Sequence, residues 1–293
     1  YISTSTVTYA PLYTSCTPFT AVTSYLGPVI SEVLVNNASS VILTPNSTTS
    51  VSVNAKVSDE HGCTSIQNST TTILLYRSSI TSSTCLTTQN NLNCYKATAF
   101  TASSTCASNL INTTTTFDLW YFADATDSSS SFPNDNWMAT VIFTNPSSTT
   151  GTGDSTSGSL PDVQTLLSLN VSPDVLNYGT ISPGTNTSST NQTETVQNAG
   201  NTTTTLKLSG TALSFSSNWL ATSSQRYSTS TFVYAGTSTA LTDGLVTVTG
   251  FQLVPPTSTT NVSSPTYWGA EVLVGKPQGT YTGTVTFTAV FSP

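Results

Sequence analysis

The chain has 293 residues, enough for two domains of ordinary size that each bury a core of their own. Only 6% of the residues are charged, against roughly 25% in an average soluble protein, and 13 acidic against 6 basic residues leave a net charge of -7. That balance excludes nucleic-acid binding through phosphate neutralisation, and no apolar run approaches the roughly 20 residues of a spanning helix. Ser, Thr and Asn must keep the surface wet in place of ionic groups. With so few ionisable side chains, folding is expected to depend weakly on pH.

The first residue is Tyr1 rather than Met, which predicts the processed form of an exported protein. Residues 1–28 read as an N-terminal extension carrying Pro11, Pro18 and Pro28 and beginning YISTSTVTYA, a nearly uncharged, β-prone segment. An extended strand must pair somewhere. It either opens its own domain or adds to the sheet of a neighbouring subunit, with Ile2, Thr4, Thr6, Val7 and Tyr9 in the donated strand.

From residue 29 to 146, alternation with period two marks half-buried strands. Val51, Val53, Ala55 and Val57 share one face, as do Phe117, Leu119 and Tyr121, and then Ala139, Val141 and Phe143. Between Pro146 and Pro161 the Gly/Ser/Thr stretch SSTTGTGDSTSGSL offers no core-forming residue, so 147–161 reads as an interdomain linker or long exposed loop. A helical period lasts no more than a turn or two around Val163 to Leu169. The second half, 162–293, ends on the clearest strand of the chain, in which Val285, Phe287, Ala289 and Phe291 point inward and the intervening threonines outward. Strand-length segments separated by turn signals predict an all-β fold of two immunoglobulin-like antiparallel sandwiches preceded by an extended N-terminal strand segment.

Asn-x-Ser/Thr sequons stand at Asn37, Asn46, Asn68, Asn112, Asn170, Asn186, Asn191, Asn201 and Asn261, whereas Pro146 excludes Asn145. N-linked glycans on them would supply the hydration that scarce charge cannot. The five cysteines, Cys16, Cys63, Cys85, Cys94 and Cys106, lie in the first 106 residues without CxxC spacing, so disulfides are expected rather than zinc. Two bridges among Cys63, Cys85, Cys94 and Cys106 allow three pairings, of which a Cys85–Cys94 bridge across a hairpin is one; Cys16 is the odd residue.

Short motifs carry a family likeness. LNYGTISPGT, VQNAGN, LKLSGT and GTYTGTVTFTA in the second half, with VSDEHGC, YRSSI, NCY and LWYFADATD in the first, resemble the tandem immunoglobulin-like modules of exported archaeal and candidate-phylum bacterial surface proteins. That resemblance implies secretion and sandwich folds, not a defined activity. More loosely, low charge, dense sequons and a β-prone tail are similar to subunits of glycosylated archaeal thread-type filaments, in which each tail completes the sheet of the next subunit.

Little here points to catalysis. The single histidine, His61, sits in a Ser-Asp-Glu-His-Gly turn, no GxSxG elbow is present, and no pair of carboxylates is singled out by spacing. Asp59, Glu60, Asp124, Asp127 and Asp135 form one acidic set, from which Asp59, Asp124, Asp127 and Asp135 could supply calcium, although turn formers and caps would look the same. Trp120, Trp137, Trp219 and Trp268 read as core residues rather than a sugar-stacking platform. The expected role is non-enzymatic and needs no cofactor: a structural subunit of an extracellular filament or cell-surface layer, polymerising with identical copies through its N-terminal strand. The alternative is a cell-surface adhesin for carbohydrate or a neighbouring cell.

Overall fold

A computed structural model describes residues 26–103, 105–156 and 160–292. The expected assembly strand, Ile2 to Tyr9, and Cys16 lie outside these residues.

Eight strands build the first sandwich: β1 (Val29–Val35), β2 (Thr48–Ser58), β3 (Thr70–Arg77), β4 (Cys94–Ala97), β5 (Thr101–Ala102), β6 (Leu110–Trp120), β7 (Trp137–Thr144) and β8 (Thr150–Asp154). One sheet runs β1-β2-β6-β5 and the other β4-β3-β7-β8, with every pairing antiparallel. Lettered along the chain, these are A-B-E-D over C′-C-F-G, the strand order of an immunoglobulin-like sandwich. The alternation read from sequence decides which side of each strand enters the core. Val51, Val53, Ala55 and Val57 of β2 are buried, as are Ile111, Phe117 and Leu119 of β6 and Trp137, Ala139, Val141 and Phe143 of β7. Each of the valine, leucine, isoleucine and phenylalanine side chains among them contributes roughly 1.5–3 kcal/mol by leaving water.

Two short helices, α1 (Cys63–Gln67) and α2 (Ser82–Thr87), interrupt the strands, and each carries a bridged cysteine. Cys63 is joined to Cys106, and Cys85 to Cys94. The Thr81 hydroxyl caps α2 by accepting from the Thr84 amide at 3.2 Å. Neither helix shows in the sequence pattern, because at five and six residues each is too short to establish a period.

The stretch expected as linker at 147–161 is corrected in part. Residues 150–154 form β8, which pairs with β7 from Thr140↔Asp154 to Thr144↔Thr150. Its glycines are what conceal it, since they give no apolar alternation. They are needed because β1 enters alongside: a Cβ on Gly151 would stand 1.6 Å from the Pro28 carbonyl oxygen.

The second sandwich comprises β9 (Leu169–Ser172), β10 (Thr185–Asn186), β11 (Gln192–Asn198), β12 (Thr204–Gly210), β13 (Leu213–Phe215), β14 (Asn218–Leu220), β15 (Gln225–Ser228), β16 (Thr239–Ala240), β17 (Val246–Leu253), β18 (Ser263–Val272) and β19 (Val285–Phe291). Its larger sheet runs β16-β15-β18-β11-β9, with β10 also on β18, and faces a smaller sheet β17-β12-β19; β13 and β14 form a separate hairpin. Trp268, Leu206, Leu208, Val196, Tyr227 and Phe251 fill the space between.

The turn or two of helix allowed by the pattern near Val163–Leu169 is absent. That segment is extended: Val41 bridges Val163 in parallel, and the Trp137 and Thr126 amides donate to the carbonyls of Pro161 and Val163 at 3.0 and 2.9 Å. The apolar residues there serve as a connector pressed on both bodies, with Val163 fully buried in the first core.

Candidate assembly edge and the predicted sites

In the second sandwich β9, β11, β18 and β15 take the places of A, B, E and D, and β12 and β19 those of C and F. Strand β17 lies on the far side of β12. Among the described residues, no strand pairs with the outer edge of β19.

β19 is fixed on one side only, by β12, with Leu208↔Phe287 and Leu206↔Ala289 in register. Leu206 and Leu208 are fully buried, so their opposite numbers face the same core. Yet Val285, Phe287 and Ala289 are only half-buried, and Phe291 is 39% exposed. The inward face predicted for this strand is therefore correct in direction and incomplete in burial. Across the gap, β9 approaches β19 from the other sheet, bringing Leu169 and Val171, also half-buried, against the same core. The result, among the described residues, is an apolar floor beside a strand edge whose outward peptide groups pair with no strand, the two features that an added extended strand would require.

The sequons divide by exposure. Asn37, Asn46, Asn68, Asn112, Asn170, Asn186 and Asn261 are exposed, whereas Asn191 and Asn201 are half-buried.

The four carboxylates considered for calcium are not gathered at one point. Asp124 and Asp135 meet at Arg77: its Nε donates to Asp124 at 2.9 Å, Nη1 donates to Asp135, and Phe132 lies 3.7 Å beneath the guanidinium. Burial pushes the Asp124 carboxyl up, with Asn93 and Arg77 opposing; Asp135 is held below the usual range, since bonds from Ser79, Arg77 and Ser78 outweigh its burial. The guanidinium thus already stands between the two carboxylates and offsets one of their two charges. Asp127 instead accepts from the Thr165 amide and hydroxyl at 2.6 and 2.7 Å, tying down the connector. Asp59 accepts from the His61 amide at 2.8 Å and from Asn145 at 3.0 Å, and the His61 ring lies 2.9 Å away. Burial raises its carboxyl, and the Asn145 and His61 contacts more than reverse this. Among the described residues, no group of three His, Cys, Asp or Glu side chains is placed to hold a metal.

Trp137 and Trp268 are core residues and Trp120 is half-buried, but Trp219 stands 62% exposed on β14, with the Lys276 ammonium 5.6 Å over its ring. The sequence pattern missed one buried acid. Glu194 on β11 is 2% exposed, and neither carboxylate oxygen has a hydrogen-bond partner among the described residues. Burial, then the nearby Asp174, raises its carboxyl. Among the described residues, no helix is long and apolar enough to cross a membrane.

No family model matches the chain, and no curated protein does. Among solved structures it is similar to a chain of the CsuC–CsuE chaperone–tip adhesion subunit pre-assembly complex from the archaic chaperone-usher Csu pili of Acinetobacter baumannii. The two share 12% identity over 90% of this chain and 100% of that one, with a TM-score of 0.39.

Proposed function

We propose that the protein is a non-catalytic structural subunit of an extracellular polymer, in which the N-terminal segment of one copy lies along β19 of the next. The apolar floor beside the β19 edge carries this reading: an immunoglobulin-like sandwich leaves half-exposed the row of side chains that a further strand would seal. Residues 1–25 suit it, because they contain no Asp, Glu, Lys, Arg or His and begin with a β-prone run rich in Ser, Thr, Val, Ile and Tyr. Burying them beside Phe287 incurs no charge desolvation.

The contact is heterologous. The chain reaches the first sandwich beside β8, while the open edge belongs to the second, so copies join head to tail in an open series rather than as a closed pair. Two disulfides fit an oxidising exterior, and glycans on exposed sequons fit a surface so poor in charge.

Deletion of residues 1–25 tests the proposal. Light scattering and negative-stain images of the native protein should show polymers and those of the deletion only single particles; a peptide of residues 1–10 should then protect the β19 amides of the deletion from hydrogen exchange. Polymers that survive the deletion, or a native protein that is monomeric, would overturn it. The adhesin reading has one observation in its favour, the exposed Trp219 beside Lys276, and predicts instead that Trp219→Ala abolishes glycan binding without touching assembly.

A further inference from the structure

We infer that Asn201, although it heads a sequon, carries no glycan in the folded protein and serves as the clasp that fixes the two sandwiches to one another. This rests on the glycosylation part of the functional reading only for the contrast it draws among the nine sites.

The side chain of Asn201 is fully committed. Its Nδ2 donates to the Ala123 carbonyl at 3.0 Å and to the Gln164 carbonyl at 3.2 Å, and its Oδ1 accepts from the Leu166 amide at 2.6 Å. Ala123 belongs to the first sandwich, Gln164 and Leu166 to the connector, and Asn201 itself to the turn between β11 and β12 of the second. One amide group therefore touches all three parts. The turn is shaped to present it: buried Asn198 donates to the carbonyls of Thr202 and Val254 at 2.8 and 3.1 Å and accepts from the Gly200 amide at 2.9 Å. Gly200 must be glycine, since a Cβ there would lie 2.0 Å from the Leu166 carbonyl oxygen.

Glycosylation is chemically incompatible with this arrangement. Transfer from an activated sugar-phosphate donor joins Nδ2 to the anomeric carbon and releases one amide proton with the donor's phosphate. Only one hydrogen would remain on Nδ2, for two carbonyls, and the sugar would have to occupy the joint. Asn191 is excluded for a related reason: its Nδ2 is buried, while its Oδ1 accepts from the Phe232 amide at 2.9 Å. Asn46 makes the opposite case at the same joint. Its Oδ1 accepts from Gln197 of the second sandwich at 3.1 Å, but the residue is exposed and its Nδ2 donates to nothing among the described residues. Asn46 can carry a sugar at the rim of the joint while Asn201 closes the middle.

Glycopeptide mapping of the native protein, with the variants Thr203→Ala, Asn201→Ala and Asn201→Asp, tests the inference. Thr203→Ala removes the sequon and leaves the amide in place. It should change neither Tm nor the mass beyond the difference between the two side chains. Asn201→Ala should lower Tm by roughly 3–8 °C and broaden the distance between sandwiches seen by small-angle scattering; Asn201→Asp, which keeps the acceptor for Leu166, should fall between. Sugar found on Asn201, a glycan-sized mass loss in Thr203→Ala, or an Asn201→Ala protein that melts and scatters like the parent would overturn the clasp. If no sequon carries sugar, the glycosylation reading fails, and Asn201→Ala against Thr203→Ala still decides the clasp.

Discussion

Strands β7 and β19 hold the same place in their two sandwiches, and their inward rows differ. Trp137, Ala139, Val141 and Phe143 are sealed, because β8 lies along the free side of β7 and β1 crosses next to it. Val285, Phe287, Ala289 and Phe291 have no such cover among the described residues. The first body also holds both disulfides, whereas the second has no cysteine at all. Side by side, the two show one inward row covered by a further strand and one that, among the described residues, keeps part of its surface in water.

Paired truncations break the comparison most directly. Phe143→Ala should cost about 3–5 kcal/mol by denaturant unfolding, as a fully buried ring leaves a cavity. Phe287→Ala should cost clearly less in single subunits, because half its benefit is not yet realised, and should weaken assembly instead. Equal losses in the two variants would remove the distinction. Next in size, replacing Cys63 and Cys106 together by Ser should destabilise by about 4 kcal/mol through the freed loop. Calorimetry should place that loss in the first sandwich alone. A matching shift in the second would mean that the two unfold as one unit.

The smallest effect concerns Glu194. A carboxyl whose folded pKa lies above its unfolded value binds more protons when folded, so stability is highest at acid pH and falls as pH rises through the unfolded value toward the folded one. Glu194→Gln should therefore stabilise the second sandwich by about 1 kcal/mol at neutral pH and by nothing near pH 3. Unfolding curves at the two pH values check this, and a pH-independent difference would remove the charge from the explanation. Asp59 and Asp135 act with the opposite sign. Their folded values are depressed, so their contribution is present above the unfolded range and lost on acidification.

Much of the fold was legible because period-two alternation is a direct record of one-sided burial. Val51 to Val57 and Ala139 to Phe143 needed no other information. What stayed hidden had a physical reason each time. β8 lacks apolar alternation because Gly151 and Gly153 make way for a backbone and a neighbouring side chain. Asp124 and Asp135 give no sign in the sequence of Arg77, some fifty residues away in the chain, which pairs with both. The sequons of Asn191 and Asn201 read like the other seven, since a three-residue motif carries no information about which amide nitrogen faces a neighbour. The open edge of β19 could not be read from its own residues, which alternate as a sealed strand would.

The connector from Pro161 to Ser168 has a mechanical consequence. It is stitched to the first body by Val41, Thr126, Asp127 and Trp137, and to the second by Ala199 and Asn201. A pull on the two ends of the molecule meets these hydrogen bonds loaded together rather than a slack tether that first straightens. Stiffness against bending and stretching between the two sandwiches is then built into the single chain.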